Sequence, residues 1–253
     1  MAKVLAISSQ VVLGSVGLSI AVPALQAEGH EVLAVPTVLL SNHPGLGRPK
    51  GGAIDIVPLL DGVDEIQGLS YIDAVFTGYF SQPQQVEKAA DIIRRLKPAL
   101  VTVDPILGDN GKLYVPEPVA QAIKAHLVPL ATVLTPNLFE LSWLTGHAIQ
   151  DATEAVTAAR ALARPEVIVT SVPAGDHLLT LRVTTDAVQR VATVKREQVP
   201  HGTGDYLAGL YLAHRLKQDA NKAFTATMAR LDAVITASAG RRTLDWQLHE
   251  VKR

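Results

Sequence analysis

The chain has 253 residues, of which 48% are apolar and only 4% aromatic, and its formal net charge at pH 7 is -1. This length fits one large α/β domain, and the near-neutral charge argues against a nucleic-acid-binding protein, which usually carries a basic excess. Because the sequence contains no cysteine, disulfides, thiolate metal sites and a catalytic thiol are excluded.

In the first half of the chain, short apolar runs alternate with helical patterns. Gly29 and Pro98 each follow such a helical pattern and indicate where it ends. A segment rich in Gly, Pro and basic residues predicts a loop at 41–52. We predict strands at 4–7, 31–37, 74–76 and 100–103, and helices at 16–28, 82–96 and 116–126.

The second half continues the alternation. Residues 178–199 differ, because they are rich in Val and Thr with period-two alternation, which predicts antiparallel strands at a sheet edge. Strand, crossover helix and strand in succession indicate a mostly parallel sheet, and no linker or repeat divides residues 1–253, so we predict a single domain. The remaining predicted strands are 132–134 and 167–170, and the helices are 138–144, 151–163, 203–215 and 222–239.

The N-terminal segment has Lys3 before an apolar stretch, as a secretory signal does, but Ser8, Ser9 and Gln10 interrupt that stretch. Together with the absence of cysteine, this favours a cytoplasmic protein. No segment reaches the roughly 18 uninterrupted apolar residues that a membrane span needs, so no membrane partner is expected.

Ligands of open α/β sheets bind at the carboxyl ends of the strands. The loops that follow the predicted strands should therefore line one cleft. Their polar residues are Ser9, Asn42, His43, Tyr79, Asp104, Asp109, Asn137, Glu140 and Ser171.

The most informative segment is HGTGD at 201–205, which opens the helix predicted at 203–215. Two glycines let successive N–H groups point outward, and the helix N-terminus adds about half a positive charge. Such a site suits a phosphate, and Asp205 beside it suits a base for a substrate hydroxyl. An alternative stays open here: Thr203 as an ordinary N-cap, with Asp205 as an acid that complements the helix dipole.

Two further segments, DPILGD at 104–109 and TPNLFE at 135–140, place carboxylates after buried strands. Carboxylates gathered at strand ends are natural Mg²⁺ ligands, often through water, although each residue taken singly also fits a turn or a cap. The glycine-rich segment at 45–52 is not a P-loop, because no Gly-Lys-Ser/Thr follows at the required spacing.

Over residues 6–213 the chain resembles pyridoxal kinases of the ribokinase-like superfamily. The resemblance is carried by the segments AISSQVVLGSVGLSIAVPALQAEGHEV, SNHPGLG, FTGYF, DPILGDNGKLYVPE, LVPLATVLTPNLFELSWLTG and GTGDYLAGLYLA, in that order. It implies a three-layer α/β/α sandwich, a homodimer, and ATP-dependent phosphorylation of the 5′-hydroxyl of pyridoxal in vitamin B6 salvage.

The same resemblance assigns the catalytic groups. Asp205 would be the general base, and the backbone of Gly202, Thr203 and Gly204 would form the anion hole for the transferred phosphoryl group. For the substrate ring, it implies contacts from Ser9, Val16, His43, Pro44 and Tyr79.

The resemblance also implies cations and a nucleotide site. Asp109 and Glu140 would organise Mg²⁺, and Asp104, Thr135 and Thr170 would hold a monovalent cation, K⁺ or Na⁺. ATP would contact Asn137, Ser171, His201, Thr203 and Gly204.

Two departures from the family pattern affect the substrate assignment. Pro44 stands where the family commonly has a Thr that contacts the ring, and Pro offers neither a hydroxyl nor an N–H. His201 stands where a small apolar residue is usual, and could contact nucleotide or substrate or face solvent. The alternatives are therefore a kinase of another small alcohol, such as hydroxymethylpyrimidine, and a non-catalytic pyridoxal-binding protein.

Overall fold

A computed structural model describes residues 1–67, 69, 71–196 and 198–246. The strands in these residues are β1 (Lys3–Leu13), β2 (Glu31–Asn42), β3 (Gly51–Ala53), β4 (Ala74–Thr77), β5 (Leu100–Val103), β6 (Gly108–Asp109), β7 (Lys112–Leu113), β8 (Val133–Leu134), β9 (Glu166–Ala174), β10 (His177–Val183) and β11 (Val188–Val194). The helices are α1 (Leu18–Ala27), α2 (Val57–Gln67), α3 (Pro83–Leu96), α4 (Glu117–Ala122), α5 (Leu138–Thr145), α6 (Ala152–Ala161), α7 (Thr203–Arg215) and α8 (Ala220–Ala237).

Nine of the strands form one sheet in the order β11-β10-β9-β8-β5-β4-β1-β2-β3. The six from β9 to β2 are parallel, whereas β10, β11 and β3 run antiparallel to their neighbours. The predicted parallel sheet with an antiparallel edge at 178–199 is therefore confirmed. The antiparallel β3 at the opposite edge was not predicted.

Alternate residues of the central strands enter two different apolar layers. Leu5 and Ile7 of β1 belong to the core cluster that holds α3, α4, α5 and α6, whereas Val4 and Ala6 pack with α1 and α7. Each of these four side chains is at most 1% exposed. Burial on both faces explains why residues 4–7 of β1 are continuously apolar, and it gives the predicted three-layer α/β/α sandwich.

Three local predictions were wrong or incomplete. Helix α2 was missed because Gly62 and three acids interrupt its helical pattern, and it is stabilised by packing of Leu60, which is 1% exposed. The predicted loop at 41–52 instead contains the end of β2, a 3₁₀ turn at Pro44–Leu46, and most of β3. The β6–β7 hairpin was also missed, although Asn110-Gly111 is a strong signal for a two-residue turn and both residues have positive φ.

Helix α7 carries the predicted base at its first turn, and a buried polar network holds its other half. The carboxylate of Glu166, which is 4% exposed, accepts hydrogen bonds from the Arg182 guanidinium and the Tyr211 hydroxyl, and lies 3.4 Å from Arg215 Nε. Because Tyr211 and Arg215 belong to α7, the network ties that helix to the start of β9. No helix in the described part of the chain is long and apolar enough to cross a membrane. The assignment of residues 1–253 to one domain stays a prediction.

Candidate active site

The loop before α7 makes a close backbone contact that only glycine permits. Gly202 is the N-cap of α7 and has a φ of 96°. A Cβ placed on it would lie 1.6 Å from the carbonyl oxygen of Ser15. The reading of Thr203 as N-cap is therefore wrong: Thr203 is the first residue of the helix, and Gly202 leaves the first N–H groups of α7 without a capping side chain. These N–H groups, at the positive end of the helix dipole, form a candidate anion site.

Asp205 lies in the first turn of α7, beside this anion site. Its Oδ1 is buried and has no hydrogen-bond partner among the described residues. Burial raises the pKa of Asp205 to about 6, although the N–H groups of Gly17 and of Asp205 itself favour the charged form. A buried carboxylate oxygen without a partner is costly in a folded protein, and this one is free to accept a hydrogen bond from a hydroxyl.

The end of β1 forms a second wall near Asp205. A Cβ on Gly17, which has a φ of 56°, would lie 2.3 Å from both the carbonyl oxygen and the Oγ of Ser9. Ser9 is 9% exposed and belongs to β1, which continues past the predicted end at Ile7. Val16 is 7% exposed and faces the Gly202 turn. The structure thus brings Ser9 and Val16 to the same turn as the anion site.

Tyr79 follows β4 and is held by its backbone. Its N–H donates to the Oγ of Ser8 (3.0 Å), and its carbonyl accepts from the Oγ1 of Thr37 (2.7 Å). Burial raises the pKa of the Tyr79 phenol, so the hydroxyl stays protonated over the usual pH range. These contacts place Tyr79 just beyond the carboxyl end of β4, beside the middle of β1 and of β2.

His43 and Pro44 lie on the turn that follows β2. The His43 ring accepts a hydrogen bond at Nδ1 from the N–H of Gly45 (3.0 Å) and so caps the 3₁₀ turn that begins at Pro44. The centroid of the His43 ring lies 4.5 Å from that of His201. Burial, and secondly the charge of His201, lower the pKa of His43. The turn that follows β2 thus touches His201, the residue that precedes Gly202.

Asp104, which follows β5, interacts electrostatically with two other carboxylates, those of Glu140 on α5 and Asp205 on α7. Asp104 is 6% exposed and accepts a hydrogen bond from the Oγ1 of Thr135 (3.0 Å). Burial raises the pKa of Asp104 well above its ordinary value, and the charges of Glu140 and Asp205 raise it further. Like charges that repel at a buried position favour a bound cation.

Glu140 is the third helical residue of α5 and is 4% exposed. Its two oxygens accept hydrogen bonds from the N–H groups of Asn137 (2.8 Å) and Leu107 (2.8 Å). Burial nevertheless raises its pKa to about 7, and the charge of Asp109 adds to the shift. Asp109 is exposed on the β6–β7 hairpin, where its Oδ1 accepts from the N–H of Asn110 (2.7 Å).

In the described ranges no three His, Asp or Glu side chains converge as a ready-made metal site. Mg²⁺, however, usually keeps several waters and binds one or two carboxylates together with substrate phosphates. The exposed Asp109 and the partly satisfied Glu140 fit that requirement. Asp104, with Thr135, supplies the oxygen donors that a monovalent cation would need.

Two of the residues expected to contact the nucleotide, Asn137 and Ser171, lie after β8 and within β9. The amide of Asn137 donates to the carbonyl of Gly108 (2.8 Å), and Asn137 pairs with Thr170 in an isolated parallel bridge. Ser171 is exposed and has a φ of 61°, unusual for a residue other than glycine. At Ser171 the register between β9 and β10 shifts, and the resulting β-bulge changes the direction of the chain next to Thr170.

A C-terminal segment, which carried no signal in the sequence, completes the site. Arg242 donates from its guanidinium to the carbonyl of Gly45 (2.5 Å), and its own carbonyl accepts from the N–H of His201 (3.2 Å). The Oγ of Ser15 donates to the carbonyl of Leu244 (3.1 Å). Two of these three contacts join residues 197 and 229 positions apart, so no local pattern could have indicated them.

Three features define the class of this protein. The parallel sheet is covered by helices on both faces, a glycine turn opens a candidate anion site at a helix N-terminus, and a carboxylate oxygen in the first turn of that helix has no partner. Together they define a ribokinase-like kinase of small molecules.

Comparisons with known proteins agree with this class. A family model described as phosphomethylpyrimidine kinase matches residues 64–243. The pyridoxal kinase of Arabidopsis thaliana is 34% identical over 264 residues, which cover 96% of this chain and 82% of that protein. The structure of pyridoxal kinase from Entamoeba histolytica superposes with a TM-score of 0.91 at 27% identity, covering 97% of this chain and 92% of that one. Pyridoxal kinase from Leishmania donovani, in complex with ADP and pyridoxamine, gives 0.89 at 30% identity, covering 96% and 92%. The chain belongs to the pyridoxal kinase family.

Proposed function

We propose that this enzyme transfers the γ-phosphoryl group of ATP to the 5′-hydroxyl of pyridoxal, and also acts on pyridoxine and pyridoxamine. The observation that carries the proposal is the buried, unpartnered Oδ1 of Asp205 next to the anion site at the start of α7. The relatives support the substrate class, since they are named pyridoxal kinases and one is described with ADP and pyridoxamine.

In the proposed reaction, the Asp205 carboxylate accepts the proton of the substrate hydroxyl. The freed oxygen forms a bond to the γ-phosphorus of ATP while the bond to the β–γ bridging oxygen breaks, and ADP leaves with that electron pair. The backbone N–H groups of Gly202, Thr203 and Gly204 stabilise the charge on the transferred group. Positioning and charge stabilisation supply most of the rate enhancement in reactions of this kind.

The substrate ring would lie between the end of β1 and the turn after β2. Ser9 would hydrogen-bond to the ring, with Val16 and Tyr79 shaping the wall, and with His43 and Pro44 on the facing turn. Pro44 is exposed and opens the 3₁₀ turn, so it contributes shape rather than a hydrogen bond.

Two cations and the nucleotide complete the proposal. Mg²⁺, held through Asp109 and Glu140, would neutralise charge on the ATP phosphates, and a K⁺ or Na⁺ ion would lie beside Asp104, Thr135 and Thr170. Asn137, Ser171, Thr203 and Gly204 would contact ATP. We further propose a cytoplasmic homodimer, as the family resemblance implies.

A second candidate is a kinase of hydroxymethylpyrimidine. Two observations favour it: the description of the matching family model and the presence of Pro44 in place of a ring-contacting Thr. Both candidates use the same base and anion site, and differ only in the ring that the enzyme accepts.

The test is ADP release from purified protein with Mg-ATP and K⁺, using pyridoxal, pyridoxine, pyridoxamine and hydroxymethylpyrimidine in parallel. We expect turnover on pyridoxal, with pyridoxal phosphate identified by its absorbance. The matched control is Asp205→Asn, which should keep the fold and lower turnover by ~10²–10⁴-fold. Turnover on the pyrimidine alone would support the second candidate. Tight binding of pyridoxal without ADP release would instead indicate a carrier.

A further inference from the structure

Gly45 lies at the centre of a three-sided contact on the turn formed by residues 43–47, which we call the Gly45 turn. A Cβ on Gly45 would lie 2.4 Å from Nε2 of His201 and 2.9 Å from Nδ1 of His43. On the third side, the Arg242 guanidinium donates to the Gly45 carbonyl (2.5 Å). The Gly45 turn is therefore in contact with His201 on one side and with Arg242 on another.

The two residues that hold the turn are themselves joined. The N–H of His201 donates to the carbonyl of Arg242 (3.2 Å), and His201 pairs with Thr243 in an isolated parallel bridge. His201 directly precedes Gly202, whose backbone begins the anion site. The position of the Gly45 turn is thus linked to the position of the phosphate-binding backbone.

Charge also affects this contact. His43 accepts from the Gly45 N–H at Nδ1, so that nitrogen is unprotonated and the ring is neutral. Three groups with a basic side chain meet at the turn, namely His43, His201 and the Arg242 guanidinium. Protonation of the His43 ring would remove the Nδ1 acceptor of the Gly45 N–H and thereby weaken the turn.

We propose that His201 and Arg242 are positioning residues that hold the Gly45 turn against the substrate ring, and thereby set the affinity for that ring. This inference rests on the proposed function, because it assigns the two residues a role in binding the B6 substrate. A turn that is already ordered lowers the entropic cost of substrate binding. Loss of the contact should thus raise KM and leave the chemical step, which Asp205 and the anion site perform, almost unchanged.

The first test compares His201→Ala and His201→Phe with the wild-type enzyme. His201→Ala should raise KM for pyridoxal about 3–10-fold and change kcat less than about 2-fold, since a ring–ring contact of this kind is of modest strength. His201→Phe retains a ring over Gly45 and should restore most of the affinity at pH 7–8. His147→Ala, at an exposed histidine after α5, is the matched control and should behave as wild type.

The second test is a double-mutant cycle between Gly45 and His201. Gly45→Ala inserts a methyl group against the His201 ring and should raise KM for pyridoxal. In the His201→Ala background the nearest clash is gone, so the same substitution should have a smaller effect. Arg242→Met tests the other side of the turn and should raise KM in the same direction as His201→Ala.

A third measurement is independent of catalysis. Hydrogen exchange of the ligand-free protein should be faster over residues 41–47 in His201→Ala and Arg242→Met than in wild type or His147→Ala. If wild type phosphorylates no B6 compound, the proposed function fails while exchange still reports on the contact. The inference is overturned by unchanged exchange in both variants, by additive effects in the cycle, or by a rise in KM for ATP alone, which would make His201 a nucleotide contact.

Discussion

Asn137 and Glu140 cap each other at the start of α5. The Oδ1 of Asn137 accepts from the N–H of Glu140 (2.9 Å), and the Glu140 carboxylate accepts from the N–H of Asn137 (2.8 Å). Glu140 also binds the N–H of Leu107, so the same carboxylate closes the loop that follows β5. A residue expected to organise Mg²⁺ is therefore also a structural cap, and its substitution should affect both stability and activity.

Substitution of Glu140 can separate these two roles. Glu140→Ala should lower the free energy of unfolding by about 2–4 kcal/mol, because it removes a helix cap and leaves buried N–H groups unpaired. Glu140→Gln keeps one acceptor and should cost about half as much, yet should need more Mg²⁺ for half-maximal turnover. Urea unfolding and a Mg²⁺ titration of activity measure the two effects. Equal stability of wild type and Glu140→Ala would contradict the capping role.

Turnover should fall in acid as Asp205 becomes protonated. The base must be ionised to accept a proton, and the pKa of Asp205 is raised by burial to about 6. The ratio kcat/KM should therefore be level above pH 7 and fall tenfold per pH unit well below 6. A pH profile for pyridoxal, taken with a substrate-saturated profile for kcat, checks this. A profile that stays level down to pH 4.5 would exclude Asp205 as the base.

Removal of the Asp205 charge should stabilise the ligand-free protein. The folded-state pKa lies above the unfolded value, so ionisation disfavours folding, and the stability present below about pH 4 is lost as pH rises through 6. Asp205→Asn should thus raise the free energy of unfolding at pH 8 by about 1–3 kcal/mol, with a much smaller difference near pH 4. Urea unfolding at the two pH values measures this difference. A less stable variant at pH 8 would mean that the carboxylate has a stabilising partner.

Glycine 202 should tolerate no side chain. Gly202→Ala puts a Cβ 1.6 Å from the Ser15 carbonyl oxygen at a φ of 96°, so the turn must move and the anion site with it. We expect at least a ~10²-fold loss of turnover, since removal of such donors commonly costs that much. The matched control is Gly62→Ala in α2, where a Cβ meets nothing within 4 Å. It should raise stability by about 0.5–1 kcal/mol and leave turnover unchanged, as Tm and activity assays would reveal.

Most of the parallel sheet was predictable because its signals are local. The apolar runs of β1, β4 and β5 are short and bounded by helical patterns, so their length and their boundaries identify them as strands. Helix α2 was not predicted because the helix propensity of its sequence is weak. The packing of Leu60 in the core compensates for that weak propensity. The β6–β7 hairpin was not predicted either, although Asn-Gly is a sequence signal for a two-residue hairpin turn.

The sequence by itself determined the parallel α/β architecture and the HGTGD segment of the proposed anion site, since these depend on residues that are neighbours along the chain. Only the tertiary structure decided that Gly202 packs on Ser15, that Asp205 has an unpartnered buried oxygen, and that His201 and Arg242 meet at Gly45. The physical reason is distance along the chain. These contacts join residues 156 to 197 positions apart, or depend on burial from several elements, and form only when the sheet brings the strand ends together.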